Sequence, residues 1–197
     1  MTLKIRNWPK VGTVAGIIII ALMVALLFGG VAANVYWWAW FNLPLYMLHQ
    51  FEEYVYPGKF RETMNAILTH GKSEDVPLTE NHAFVINVAF VWGATIVFNL
   101  LGAFSLAFPL VMITMTTVNG FTHIGAAVAR RKYNPGLVFS IVLNIPYGFV
   151  MIAWIAGIVS SVALALGIIF GIVYHLMVFV FMGIIRKRMS SNTSNSQ

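Results

Sequence analysis

Apolar positions dominate three stretches that contain no Asp, Glu, Lys or Arg: residues 11–51, 81–129 and 133–185. They hold 41, 49 and 53 residues. A helix that crosses the hydrocarbon layer needs about 20 apolar residues. Each stretch therefore accommodates two such helices joined by a tight turn. Turn residues fall near the midpoints: Gly29-Gly30 and Asn34, then Gly102, Ser105 and Pro109, then Gly157, Ser160 and Ser161. Gly and Ser punctuate helices, and Pro suits a first helical turn. The pattern predicts six spans, over 11–30, 33–51, 82–103, 107–129, 137–157 and 161–185. The expected fold class is all-α, an integral membrane helical bundle without internal repeats.

The 12 Lys and Arg and six Asp and Glu fall in four short segments. These carry Lys4, Arg6 and Lys10; all six acids with Lys59, Arg61 and Lys72; Arg130, Arg131 and Lys132; and Arg186, Lys187 and Arg188. Six crossings place all four segments on one side, each with three basic residues. The positive-inside bias makes that side cytoplasmic. The expectation is a multi-pass cell-membrane protein with both termini in the cytoplasm. A five-span alternative, with 33–51 lying flat in the interface, would put Arg130–Lys132 opposite one terminus. Six spans avoid that split.

Composition sharpens the class. Hydrophobic residues make up 59% and charged residues 9%, against roughly 45–50% and 25% in soluble domains. Mean hydropathy is +0.83. These values exclude a soluble globular domain, a disordered chain and a nucleic-acid binder. The net charge of +6 reads as attraction to anionic lipid headgroups. With no cysteine, thiolate metal sites, disulfides and cysteine nucleophiles are excluded. The basic start, apolar run and Gly30-Val31-Ala32-Ala33 have features of a secretory signal, but the run continues to Phe51 and so reads as a retained helix. Three regions are expected: a basic segment and extra helix over 1–35, a membrane domain over 36–188, and a disordered Ser/Asn-rich tail over 189–197.

Ionisable groups beside a bilayer are costly unless paired or hydrated, so they are candidates for function. His49, Glu52 and Glu53 stand at i, i+3 and i+4, on one side of a helix. Pro44, just over one turn earlier, is expected to kink the span and open room beside His49. An imidazole and two carboxylates suit Zn, Fe or Mn. They equally suit general acid/base work, or a helix end whose acids pair with Lys59 or Arg61. Asn119 and His123 form a second pair, four apart, with His123 about 10 Å along the axis from Arg130. Asn87 and Asn144 are expected at similar depth; with Asn99, they read first as interhelical hydrogen-bonding residues.

The remaining polar residues rank lower. His175 is expected to bond a neighbouring helix, His70 to be solvated, and His82 to mark an interfacial helix start. Tyr147 is read as a packed aromatic before a proton donor. Gly12/Gly16 and Gly167/Gly171 have the spacing of close helix packing or dimerisation. Trp37, Trp38 and Trp40 suit an interfacial anchor. Serine-hydrolase, zincin, P-loop and dinucleotide signatures are absent from the sequence.

His49-Gln50-Phe51-Glu52-Glu53, after an aromatic helix containing Leu43-Pro44, resembles the defining motif of the HXXEE family of membrane proteins. Asn119-Gly-Phe-Thr-His123 followed by Tyr133-Asn134-Pro135-Gly136 is similar to that family's second region. The likeness covers roughly residues 36–185 and leaves the first helix as an addition. It implies a functionally uncharacterised membrane protein with a candidate enzymatic site. By that likeness His49, Glu52, Glu53, Asn119 and His123 are the site residues, and Asn134-Pro135-Gly136 is a structural turn. The expected function is a membrane-embedded enzyme acting on a lipid-like or amphipathic substrate. His49, Glu52, Glu53 and His123 would hold a divalent metal, or serve acid/base chemistry without one. The alternative is a proton-coupled carrier or small-ligand-binding protein.

Overall fold

The computed structural model describes residues 5–31, 33–69 and 78–194. Among them every regular element is helical. After a short turn of helix at Ile5–Asn7, α1 covers Trp8–Phe28, α2 Val35–Ala39, α3 Asn42–Tyr54 and α4 Phe60–Leu68. Then come α5 (Glu80–Leu101), α6 (Ala107–Arg130), α7 (Leu137–Ala156) and α8 (Ser161–Ser194). Two helices have π-helical segments, Val85–Gly93 within α5 and Ser140–Asn144 within α7.

Four helices are long and apolar enough to cross a membrane, not six: Trp8–Phe28, Glu80–Leu101, Leu137–Ala156 and Ser161–Ile184. The expected span 33–51 is broken. Asn34 caps α2 by accepting a hydrogen bond from the Trp37 amide (2.9 Å), and the chain turns again at Trp40–Phe41 before α3 begins. Pro44 does not kink a span; it lies in the first turn of α3, where a missing N–H costs little. α3 still runs back along α1, because Gly16 meets Pro44 and Met47 while Trp8 meets Tyr54; α2 packs instead against α6 and α7. The expected span 107–129 is a long helix, α6, but a polar one. It is the hub of the bundle, packed against α5, α7 and α8. Thr114, Thr116, Thr117 and His123 are buried on it.

The charged segments gather at one end of the bundle. Arg6 and Arg61 both reach Glu80 at 3.2 Å. Tyr133 donates to Glu52, and Leu78 clusters with Ile86 and Met182. His82 closes a capping box with Thr79 at the start of α5, as expected of a helix start. The helix α8 continues to Ser194, into the stretch read as a disordered tail. His70 and residues 195–197 lie outside the described residues.

Both glycine pairs serve packing within the chain. Gly12 lies under the Trp92 ring, and Gly16 against α3. Gly167 admits Leu110, and Gly171 sits against the Val111 carbonyl and Thr114. A Cβ at 171 would stand 2.5 Å from that carbonyl oxygen, which a helix backbone cannot withdraw. Gly171→Val should therefore destabilise the α6–α8 contact by about 3 kcal/mol. A lowered thermal midpoint in detergent checks this; an unchanged midpoint would refute the contact. Of the tryptophans, Trp38 stacks on Phe41 (4.8 Å) and packs against the Val35–Leu110 core. Tyr147 donates to the Trp38 carbonyl at 2.9 Å, tying α7 to α2.

Candidate metal centre

The last two turns of α3 carry His49, Gln50, Glu52 and Glu53, all buried. Successive helical residues are rotated by about 100°, so these side chains leave the helix in different directions. His49 and Glu53 point toward α6. There His123 completes a group of three: Glu53 Oε1 lies 3.5 Å from His49 Nε2 and 3.3 Å from His123 Nε2. One ligand atom from each residue falls within 4.8 Å of the others. The two imidazoles meet edge to face, with centroids 4.8 Å apart. Asn119, one turn before His123, brings Nδ2 to 3.3 Å from His49 Nε2. Burial pushes the Glu53 carboxyl up, but the two facing imidazoles outweigh it and bring its pKa to about 2. The two imidazoles thus favour the carboxylate form of Glu53, the form that binds a metal or accepts a proton.

Glu52 does not join this group. Its Oε1 accepts from the Tyr133 hydroxyl (2.6 Å) and the Val138 amide (3.0 Å), and its Oε2 from the Phe139 amide (2.8 Å). It holds the start of α7 rather than a ligand. Burial, and then the hydrogen bond to Glu52, push the Tyr133 hydroxyl pKa up.

The Tyr133–Gly136 turn is part of the site's frame. Asn134 donates to the His123 carbonyl (3.3 Å), and the Ser140 hydroxyl donates to the Gly136 carbonyl (2.6 Å). Gly136 has φ +99°, a conformation L side chains rarely adopt. A Cβ there would lie 2.5 Å from His123 Cε1 and 2.8 Å from His49 Cε1. The turn that joins α6 to α7 is therefore pressed against both imidazoles.

Glu53, His123 and Asn119 line a cavity of about 240 Å³ whose walls are otherwise mostly apolar, from Met64, Ile86, Met115 and Val178 among others. Tyr46, Tyr54 and His175 also face it. His175 is 3% exposed, and its Nε2 has no partner among the described residues. The expected bond from His175 to a neighbouring helix is absent there. Sequence reasoning ranked this residue low, and only its depth in an apolar helix singled it out.

The other polar residues take structural places. Gln50, which sequence reasoning passed over, donates to Asn87 (2.7 Å) and accepts from the Trp92 indole (2.6 Å). Asn87 donates to the Tyr54 hydroxyl (3.1 Å) and the Ala83 carbonyl (2.8 Å). This network fixes α3 against the π-helical segment of α5. Asn87 is thus the interhelical residue expected. Asn99 and the Nδ2 of Asn144 find no partner among the described residues.

A family model described as proteins of unknown function with an HXXEE motif matches residues 40–151. That stretch runs from just before α3 into α7 and contains the whole His49–Glu53–His123 group, Asn119 and the Gly136 turn. Neither a curated protein nor a solved structure matches the chain.

Proposed function

The chain belongs to the family of proteins of unknown function with an HXXEE motif, and we propose that it is a multi-pass membrane protein with a divalent metal centre. His49 Nε2, His123 Nε2 and Glu53 Oε1 are its ligands, and its reaction is hydrolytic or redox chemistry on a lipid-like or amphipathic substrate. The observation that carries this is the convergence of two imidazoles and one carboxylate, all buried, with Glu53 and His123 of the three lining an apolar cavity. Two histidines and one carboxylate are a ligand set of Zn and of non-haem Fe, with positions left open for substrate. An ion held here supplies Lewis-acid activation of water or of a substrate oxygen. The protein's own residues do the rest. Asn119, whose Nδ2 lies 3.3 Å from His49 Nε2, would offer an amide beside the ion, the Gly136 turn packs against both imidazoles, and the apolar walls would exclude bulk water. The gathering of charged segments at one end supports a common, cytoplasmic side for both termini.

A second reading draws on a specific observation. Neither His49 Nδ1 nor His123 Nδ1 has a partner among the described residues, whereas metal-bound imidazoles usually pass that N–H to an acceptor. Without metal, Glu53 Oε1 and the two Nε2 atoms facing it at 3.5 and 3.3 Å form a proton-transfer set.

Elemental mass spectrometry of the detergent-purified protein decides between them. Stoichiometric Zn, Fe or Mn in wild type, lost in His123→Ala, is expected. A metal-free wild type after metal-replete growth, purified without chelator, would overturn the metal centre and leave acid/base chemistry.

A further inference from the structure

A second cavity adjoins the one beside His123. Ile86 of α5 and Val178 of α8 line the first, and the same two side chains line the second, of about 230 Å³. Ile86 and Val178 pack in one cluster with Met182, so a single aliphatic layer separates the two spaces. The outer space is framed on both sides. The Tyr174 hydroxyl of α8 donates to the Phe90 carbonyl of α5 at 2.7 Å, and the Phe90 and Phe181 rings lie 6.0 Å apart. Met177, at its wall, is 61% exposed. Both α5 and α8 are long and apolar enough to cross a membrane. The outer space therefore opens between two helices whose surroundings are lipid.

We infer that the two cavities form one binding site for a single unbranched hydrocarbon chain of a lipid, entering sideways between α5 and α8. The chain passes Ile86 and Val178 and brings its oxygen-bearing end to Glu53, His123 and Asn119. The inference rests on the metal-centre reading for what happens at that end, and on the cavities alone for the chain.

Three features point to this occupant. The neck is one pair of aliphatic side chains, passable by a flexible chain whose neighbours can adjust but not by a rigid ring system. The outer space offers carbon apart from the one Tyr174 hydroxyl, which is already engaged. The inner space holds His175, one turn before Val178, whose buried Nε2 has no partner among the described residues. Burying a polar nitrogen unpaired is costly, and the oxygen function of a bound lipid supplies the missing hydrogen bond.

The full chain in phosphatidylcholine nanodiscs tests this with a sixteen-carbon fatty acid carrying a terminal diazirine, and with the same chain esterified in phosphatidylcholine. Irradiation followed by peptide mass spectrometry should place adducts on Phe90, Met177 and Phe181, competed by unlabelled palmitate. Labelling by the free acid alone identifies a free-acid ligand, and labelling by both a phospholipid chain. Val178→Phe, which fills the neck, should lower cavity labelling about tenfold, while Val180→Phe on the exposed face should not. His175→Leu should weaken competition by palmitate about tenfold with metal content unchanged. Adducts spread equally over the outer faces of α1 and α7, or labelling unmoved in a folded Val178→Phe, would overturn the inference. Metal content of the same samples separates the two readings. Metal without cavity labelling overturns the lipid site alone, and cavity labelling without metal overturns the metal centre alone.

Discussion

Glu52→Ala is expected to lower stability by about 3–5 kcal/mol, because it strands two amides and a tyrosine hydroxyl that a buried carboxylate now satisfies. Those donors are Val138, Phe139 and Tyr133. Two of them begin α7, so the loss should loosen the α3–α7 junction first. Glu53→Gln, one position on, should act differently. Its shape is retained, but one of three converging ligand atoms changes from carboxylate to amide. It should lose bound metal while its thermal midpoint falls less than that of Glu52→Ala. Melting curves and elemental analysis of both variants check the split. Equal metal loss from both, at equal stability, would mean that Glu52 is a ligand after all.

Gly136→Ala is expected to lower metal affinity about 10–100-fold, the range seen when groups that orient metal-bound histidines are disturbed. The added methyl would stand 2.5 Å from His123 Cε1, so either the turn or the imidazoles must move. The residue's positive φ adds about 1–2 kcal/mol of strain. A chelator competition titration reads the affinity. Gly125→Ala is the matched control. Nothing lies within 4 Å of a Cβ there, and alanine favours the helix by about 1 kcal/mol. Parallel loss of affinity in both variants would show that position 136 has no particular hold on the imidazoles.

The difference between Glu52 and Glu53 shows where sequence reading stops. Spacings of three and four after His49 look like one helical side, yet the two carboxylates diverge by about 100°. Glu53 turns to α6 and Glu52 to the start of α7, and nothing local distinguishes them. The second region was legible as an Asn and a His four apart, followed by Tyr133–Gly136. That Gly136 touches both imidazoles was not, because the contact joins three elements. What His175 faces, and the role of Gln50, were hidden for a related reason. Both depend on contacts with distant helices, and their sequence neighbours give no hint of those.

Much was nevertheless written in the chain. The charge-free runs dictate helices, since an apolar backbone away from water must satisfy its own N–H and C=O groups. Asn34 was legible as a turn residue ahead of the second expected span, but the break at Trp40–Phe41 and the place of Pro44 in a first helical turn were not. The His-x-x-Glu-Glu motif and the Asn119/His123 pair point to the family, and they contain the three residues that converge in the candidate site. What the tertiary structure alone decided is which faces meet. In a soluble helix the buried side is betrayed by polar residues opposite it. Helices such as α8 are apolar all round up to Ile184, and lipid rewards carbon on the outer side as the core does on the inner. The pairing of residues 49 and 123, the burial of α6 at the hub and the neck at Ile86 and Val178 therefore arise from packing between distant segments, which one-dimensional patterning does not encode.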